Sequence, residues 1–253
     1  MVLKCIACEV FYREVCHCVA DTPHRVDVEF TEKNAHEKSD FLRSLLQSKI
    51  DAAENGSEQY DAILLCFGLC GNGVVSLGAR RTRLVLPRAH DCCTLFLGSR
   101  ITFKEHFAEN PSLPFSSVGY MERGTAWIHD ASAIKVPGAD KSYEEYVALY
   151  GEENAKYIME TLTTSVETAI TDRKDNRIVF IDVPELSHLG FAEKCRAQAE
   201  ASGRQFVRLP GDMRLIRKLL HGEWDPEEFL VVEPGERIAG VYDWDAVVSA
   251  AKG

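Results

Sequence analysis

Short apolar runs separated by helical-period segments set the pattern of this chain. Leu3 to Val10 is apolar except for Lys4 and Glu9, which predicts a strand ending near Ala7 or Cys8 and a helix over 10–20. Arg25 to Thr31 alternates valine and phenylalanine with charge, as a half-exposed strand does. From His36 to Ala53, Phe41, Leu42, Leu45, Leu46 and Ile50 recur at helical spacing, and Asn55-Gly56 stops the helix. Tyr60 to Phe67 is a continuous apolar run of the kind that fills a central parallel strand. The glycine-rich Gly68-Leu69-Cys70-Gly71-Asn72-Gly73 is read as a turn into another helix. A short strand then runs from Arg83 to Leu86, and 89–93 lead into a helix through Ser99. The order is strand, helix, strand, helix, which predicts a parallel sheet with right-handed crossovers.

Periodicity fades over 102–141, where prolines stand at 111, 114 and 137 beside Tyr120 and Trp127. A helix is predicted from Ser142 to Ile170, then strands over 177–183, 205–209 and 229–232 with helices over 191–201 and 212–220, the last capped by Asp212. The expected fold class is therefore α/β, either two Rossmann-like lobes with parallel sheets or one doubly wound sheet. The first arrangement divides the chain into an N-terminal lobe over 1–101, an irregular connecting excursion over 102–141 and a C-terminal lobe over 142–253.

Composition narrows the function classes. The formal charge of −10 and the absence of a basic stretch interleaved with aromatics argue against nucleic acid as a partner. Apolar runs are far shorter than the ~18 residues of a spanning helix, and no signal-peptide pattern opens the chain, so no membrane partner and a cytoplasmic location are expected. Nine cysteines, an odd number, cannot all pair. In a reducing compartment such cysteines serve as metal ligands, catalytic thiols or core residues.

Cys8, Cys70, His90 and Cys92 each fall just after a predicted strand. In parallel neighbours these ends meet at one sheet edge, where α/β proteins bind ligands. Thiolate and imidazole are zinc donors, so the four are the candidate metal ligands. Each has a plainer reading, since a lone strand-end cysteine is commonly packing. Cys92 and Cys93 can exchange roles, with Cys93 taken as the packing residue. Cys5 and Cys8 form a C-x-x-C, but three residues along a strand reverse the face. Cys16 and Cys18 diverge on their helix, and Cys66 and Cys195 read as core. Glu9 is a candidate acid, base or orienting partner for His90, or simply a carboxylate at a helix start. Asp91 carries the same ambiguity. Gly71, Asn72 and Gly73, with Arg88, are the candidate cofactor-binding residues. That turn lacks the Gly-Lys-Ser/Thr ending of a phosphate loop. Arg214 is a further candidate for an anionic ligand.

Ala7-Cys8-Glu9, Gly68-Leu69-Cys70-Gly71-Asn72-Gly73, Pro87-Arg88-Ala89-His90-Asp91-Cys92, Gly98-Ser99 and the later Gly-Asp-x-Arg-Leu and Gly-Glu-Trp-Asp segments resemble the DUF1638 family of bacterial and archaeal proteins over nearly the whole chain. The resemblance carries no activity; its setting implies a link to corrinoid-dependent methyltransferases. Tyr120-Met121-Glu122-Arg123 departs from the tryptophan-containing segment of that family. The His-x-Cys pair with remote cysteines is similar to the zinc set of corrinoid-linked thiol methyltransferases, though here the remote cysteines precede the pair.

The leading expectation is a metal-binding protein, with zinc as the ion, in corrinoid or one-carbon metabolism. The alternatives are a metal- or corrinoid-dependent methyltransferase acting on a thiol, with a methyltransferase as a possible partner, and a cysteine-nucleophile enzyme in which Cys70 attacks and His90 is the base. A binding module with packed cysteines is the bland alternative. An iron–sulfur cluster is compatible with three cysteines and a histidine.

Overall fold

The computed structural model describes residues 1–33, 35, 39–111, 113–124, 147, 152, 175–241 and 245–252. Nearly all of the helix expected over 142–170, and Trp127, lie outside the described residues.

The first sheet grows from the most apolar runs. Strand β1 (Val2–Cys8) passes through a 3-10 turn (Glu9–Phe11) into α1 (Tyr12–Asp21), then β2 (Arg25–Thr31), α2 (Ser39–Asn55), β3 (Ala62–Cys66) and β4 (Arg83–Pro87). Every residue of β3 is buried, as a central strand covered on both faces requires, whereas β2 is half-exposed and lies at the edge. Together with β8 (Phe229–Val232) the sheet has the order β2-β1-β3-β4-β8, parallel except for the β4–β8 pair. Its chain path goes from β1 to one side and returns to the other, so strand order reverses between β1 and β3. Loops separate at such a switch point, and it is the place for a ligand in an open α/β sheet.

Beyond β4 the chain forms α3 (Cys92–Leu97), α4 (Arg100–Phe107), β5 (Phe115–Ser116) and α5 (Val118–Glu122). Then come β6 (Arg177–Asp182), a 3-10 turn (Pro184–Leu189), α6 (Phe191–Ala201), β7 (Gln205–Pro210) and α7 (Arg214–His221). The strands β5, β6 and β7 make a second, fully parallel sheet, and β9 (Glu236–Gly240) pairs with β10 (Val248–Lys252) as an antiparallel hairpin. The fold is α/β with parallel sheets, as the alternation of runs predicted. Sheet membership crosses the sequence boundaries at 101 and 142: β5, from the excursion, joins the second sheet, and β8 returns to the first. The buried residues form one continuous core through both sheets, with α7 packed on α1, β3 and β4. No helix among the described residues is long and apolar enough to cross a membrane.

Two local expectations are corrected. Residues 68–82 contain turns and no helix, because Gly71 and the non-glycine residues Cys70, Asn72 and Ser76 all take positive φ, which breaks helical backbone. The helix expected through Ser99 stops at Leu97. Gly98 adopts φ 67°, and the Ser99 hydroxyl accepts from the Ile101 and Thr102 amides to start α4.

Candidate functional site

The ends of β1, β3 and β4 meet because the two loops that follow β3 and β4 are laced together. Leu69 N–H donates to the Ala89 carbonyl at 2.8 Å, and Cys70 N–H to the His90 carbonyl at 3.2 Å. A Cβ at Gly68 would lie 2.6 Å from the Asp91 Cα, so only glycine allows this approach. Cys70 then takes φ 45°, followed by Gly71 at 61° and Asn72 at 71°. A left-handed conformation costs a non-glycine residue about 1–2 kcal/mol. Glycine would take this conformation without that cost. From α2, Arg43 holds the turn by donating to the Asn72 carbonyl at 3.0 Å and the Val75 carbonyl at 2.8 Å, and the Ser39 hydroxyl donates to the Gly71 carbonyl at 2.6 Å.

After β4, Asp91 caps α3 by accepting from the Thr94 amide at 3.2 Å, which places Cys92 in the first turn of that helix. His90 stacks on Phe103 with ring centroids 5.7 Å apart. Opposite, α5 brings Tyr120 into the site. Its hydroxyl lies 2.7 Å from the Cys92 sulfur, and its ring meets Phe115 edge-on at 5.7 Å. The clamp is tight, since a Cβ on Gly119 would fall 1.7 Å from the Val10 carbonyl oxygen.

These elements border a cavity of about 380 Å³ at the switch point, lined by the polar or sulfur-bearing Cys8, Glu32, Lys33, Cys70, His90, Asp91, Cys92 and Tyr120, by Gly71, and by the apolar Phe11, Leu42, Phe67, Pro111 and Phe115. All four candidate metal ligands therefore line one space. As they stand, no three His, Cys, Asp or Glu side chains among the described residues are grouped closely enough to hold an ion. By type, though not by their present placement, thiols and an imidazole are the donors a soft metal takes.

Burial governs the electrostatics. It pushes the Cys8 thiol up to about 11 and the Cys70 thiol up to about 12, the latter aided by the charges of Asp91 and Cys8. Cys92 is raised well above its ordinary value by burial and by Asp91 and Cys70, and Tyr120 likewise by burial and by Cys92 and Cys8. Asp91 rises to about 6 through burial, against the hydrogen bonds from the Thr94 and Cys93 amides. The groups oppose one another's ionisation, and a cation among them would reverse that.

Other predicted residues are placed elsewhere. Glu9 accepts from the Lys33 amide at 2.9 Å and pairs with Arg123 at 3.3 Å, which makes it an anchor for α5 beside the cavity. Asn72 and Gly73 shape the turn, Gly73 lying against Leu42. The Arg88 guanidinium donates to the Pro226 carbonyl at 2.9 Å and the Ala246 carbonyl at 2.8 Å and so ties down the C-terminal hairpin. Arg214 is paired with Glu228. Cys5, Cys66 and Cys93 are fully buried packing residues, and Cys16 is exposed while Cys18 is buried, so that pair diverges as expected. Sequence reasoning noted Tyr120 as an aromatic of the irregular excursion but gave it no role beside Cys92, because the contact it makes lies across two sheets.

A family model described as "Protein of unknown function (DUF1638)" matches residues 30–220, which include Cys70, His90, Cys92 and Tyr120 but not Cys8. No curated protein and no solved structure matches the chain.

Proposed function

This chain belongs to the DUF1638 family, and from that premise we propose that its switch-point cavity binds a soft metal ion, zinc, drawn from Cys8, Cys70, His90 and Cys92. One observation carries the reading: three loops from three strands each deliver a thiol or imidazole to a single cavity. Packing alone gives no reason for three cysteines to line open space, when the packing cysteines beside them, Cys5 on β1, Cys66 on β3 and Cys93 on α3, are fully enclosed. Binding deprotonates the thiols and couples their rotation to capture of the ion. Elemental analysis of anaerobically purified protein beside Cys70→Ala tests it. About one zinc per chain, lost in the variant, is expected; a wild type that stays empty when offered zinc removes the reading.

Cys70 supports a second reading as a nucleophile. It sits on a strained turn after a strand, at the carboxyl edge of the sheet and one loop from His90, which is where a cysteine attacking a bound substrate would stand. Its thiol is neutral at physiological pH, so His90 or Asp91 would have to take the proton.

A further inference from the structure

The carboxylate of Asp91 lines the cavity, partly buried, and the protein meets its charge with dipoles only. Its Oδ1 accepts from the Thr94 amide at 3.2 Å, and the Cys93 amide also donates to it. These bonds fix the carboxylate as the cap of α3 and leave its negative charge in place. Among the described residues, no lysine, arginine or histidine side chain forms an ion pair with Asp91. The thiols beside it, Cys70 and Cys92, are kept neutral by burial. A charge drawn out of water is ordinarily paired, and here the partner has to come from the cavity.

The rest of the lining selects the sign and shape of that partner. Glu32 and Lys33 adjoin in the chain and offset each other in charge, Glu32 is exposed, and the Lys33 ammonium donates to the Arg123 carbonyl. Phe11, Phe67, Phe115 and Tyr120 add aromatic rings, whose negative faces attract a cation and repel an anion. At about 380 Å³ the space falls among small-molecule sites. A metal ion needs three or four donors drawn to bonding distance; an organic cation spreads its charge and is held by one carboxylate and by ring faces at ordinary contact range. The net charge of −10 favours the approach of such a cation.

We propose that this cavity binds a small organic monocation, a primary ammonium on an apolar, ring-sized body, with the ammonium paired to Asp91 and the body against Phe11, Phe67 and Phe115. The ammonium donates to the carboxylate oxygens that the α3 amides leave open, and the pair forms away from bulk water, where it is stronger than at the surface. The neutral thiols of Cys8, Cys70 and Cys92 act toward the body as small apolar groups. The pairing needs no metal, so it stands or falls separately from zinc binding.

Benzylammonium, benzyl alcohol and benzoate share one ring and differ in charge. Each is titrated at neutral pH into protein stripped of metal by a chelator, with binding followed by NMR of the ring protons. Wild type should bind one benzylammonium per chain, about tenfold more tightly than the alcohol, and benzoate more weakly than either. Asparagine caps a helix as well as aspartate does, so Asp91→Asn keeps α3 and should weaken benzylammonium about tenfold while benzyl alcohol changes by less than about threefold. Glu32→Gln, at an exposed position, should change benzylammonium binding by less than about threefold. Circular dichroism establishes that each variant is folded. The inference is overturned if the alcohol binds as tightly as the ammonium, if folded Asp91→Asn keeps the ammonium, if Glu32→Gln is the variant that loses it, or if wild type takes up none of the probes. None of these results bears on zinc uptake, which elemental analysis reads separately.

Discussion

Replacing Glu14 with glutamine should change how stability depends on pH. Glu14 lies in the first turn of α1, is 1% exposed, and its Oε2 has no hydrogen-bond partner among the described residues. Burial lifts its carboxyl from 4.5 to about 7, with a smaller contribution from the charge of Glu122. Between those two values the folded state holds the proton that the unfolded chain releases. Its contribution to stability is therefore fully present below pH 4.5 and is lost as pH rises through about 7. A shift of that size corresponds to about 3 kcal/mol at 1.36 kcal/mol per unit, of which about 2.5 kcal/mol falls between pH 5 and pH 8. Glutamine keeps the shape and removes the titration. Urea unfolding of both proteins at pH 5 and pH 8 gives two stability differences, and subtracting one from the other cancels every other ionisable group. The variant should gain about 2.5 kcal/mol on wild type from the lower to the higher pH. A difference that stays constant to within about 0.5 kcal/mol would refute the argument, and would mean that water or a cation satisfies this carboxylate.

Cys70→Gly should be more stable than Cys70→Ala by about 1 kcal/mol, because only glycine takes φ 45° without steric cost; equal melting temperatures would remove the case for strain at the site. In the metal-free protein at pH 8, iodoacetamide should modify exposed Cys16 before Cys70 and Cys92, whose thiolates are suppressed by burial. Mass spectrometry that finds Cys70 labelled first, in proportion to loss of an activity, would favour the nucleophile reading instead. Zinc at a hundred times its Kd should raise unfolding stability by about 2.7 kcal/mol in wild type and leave Cys70→Ala unmoved, as read from urea midpoints.

The parts of this molecule legible in its sequence are those written in local periodicity. The apolar run of β3 reads as a covered central strand and the valine alternation of β2 as a half-exposed one, and the strand ends carry Cys8, Cys70, His90 and Cys92 to one cavity, as parallel neighbours would. What escaped was set by contacts between distant segments. Glycine spacing after β3 suggested a helix start, but the turn is fixed by Arg43 on α2 and by the closeness of Gly68 to Asp91, neither of which leaves a periodic trace. The strand at 229–232 was readable as a strand, yet its place beside β4 was not, because a four-residue apolar run fits either sheet. Arg88 shows the opposite error: a basic residue next to a candidate ligand invites an anion, and the structure commits its guanidinium to the carbonyls of Pro226, before β8, and of Ala246 in the C-terminal hairpin. Tyr120 is the most instructive case. It comes from a stretch without periodicity, follows β5 of the second sheet, and meets the sulfur of Cys92 at the edge of the first. Donor residues can thus be collected from a sequence by type and strand end, but which of them remains available to a ligand is decided by the rigid neighbour each one meets.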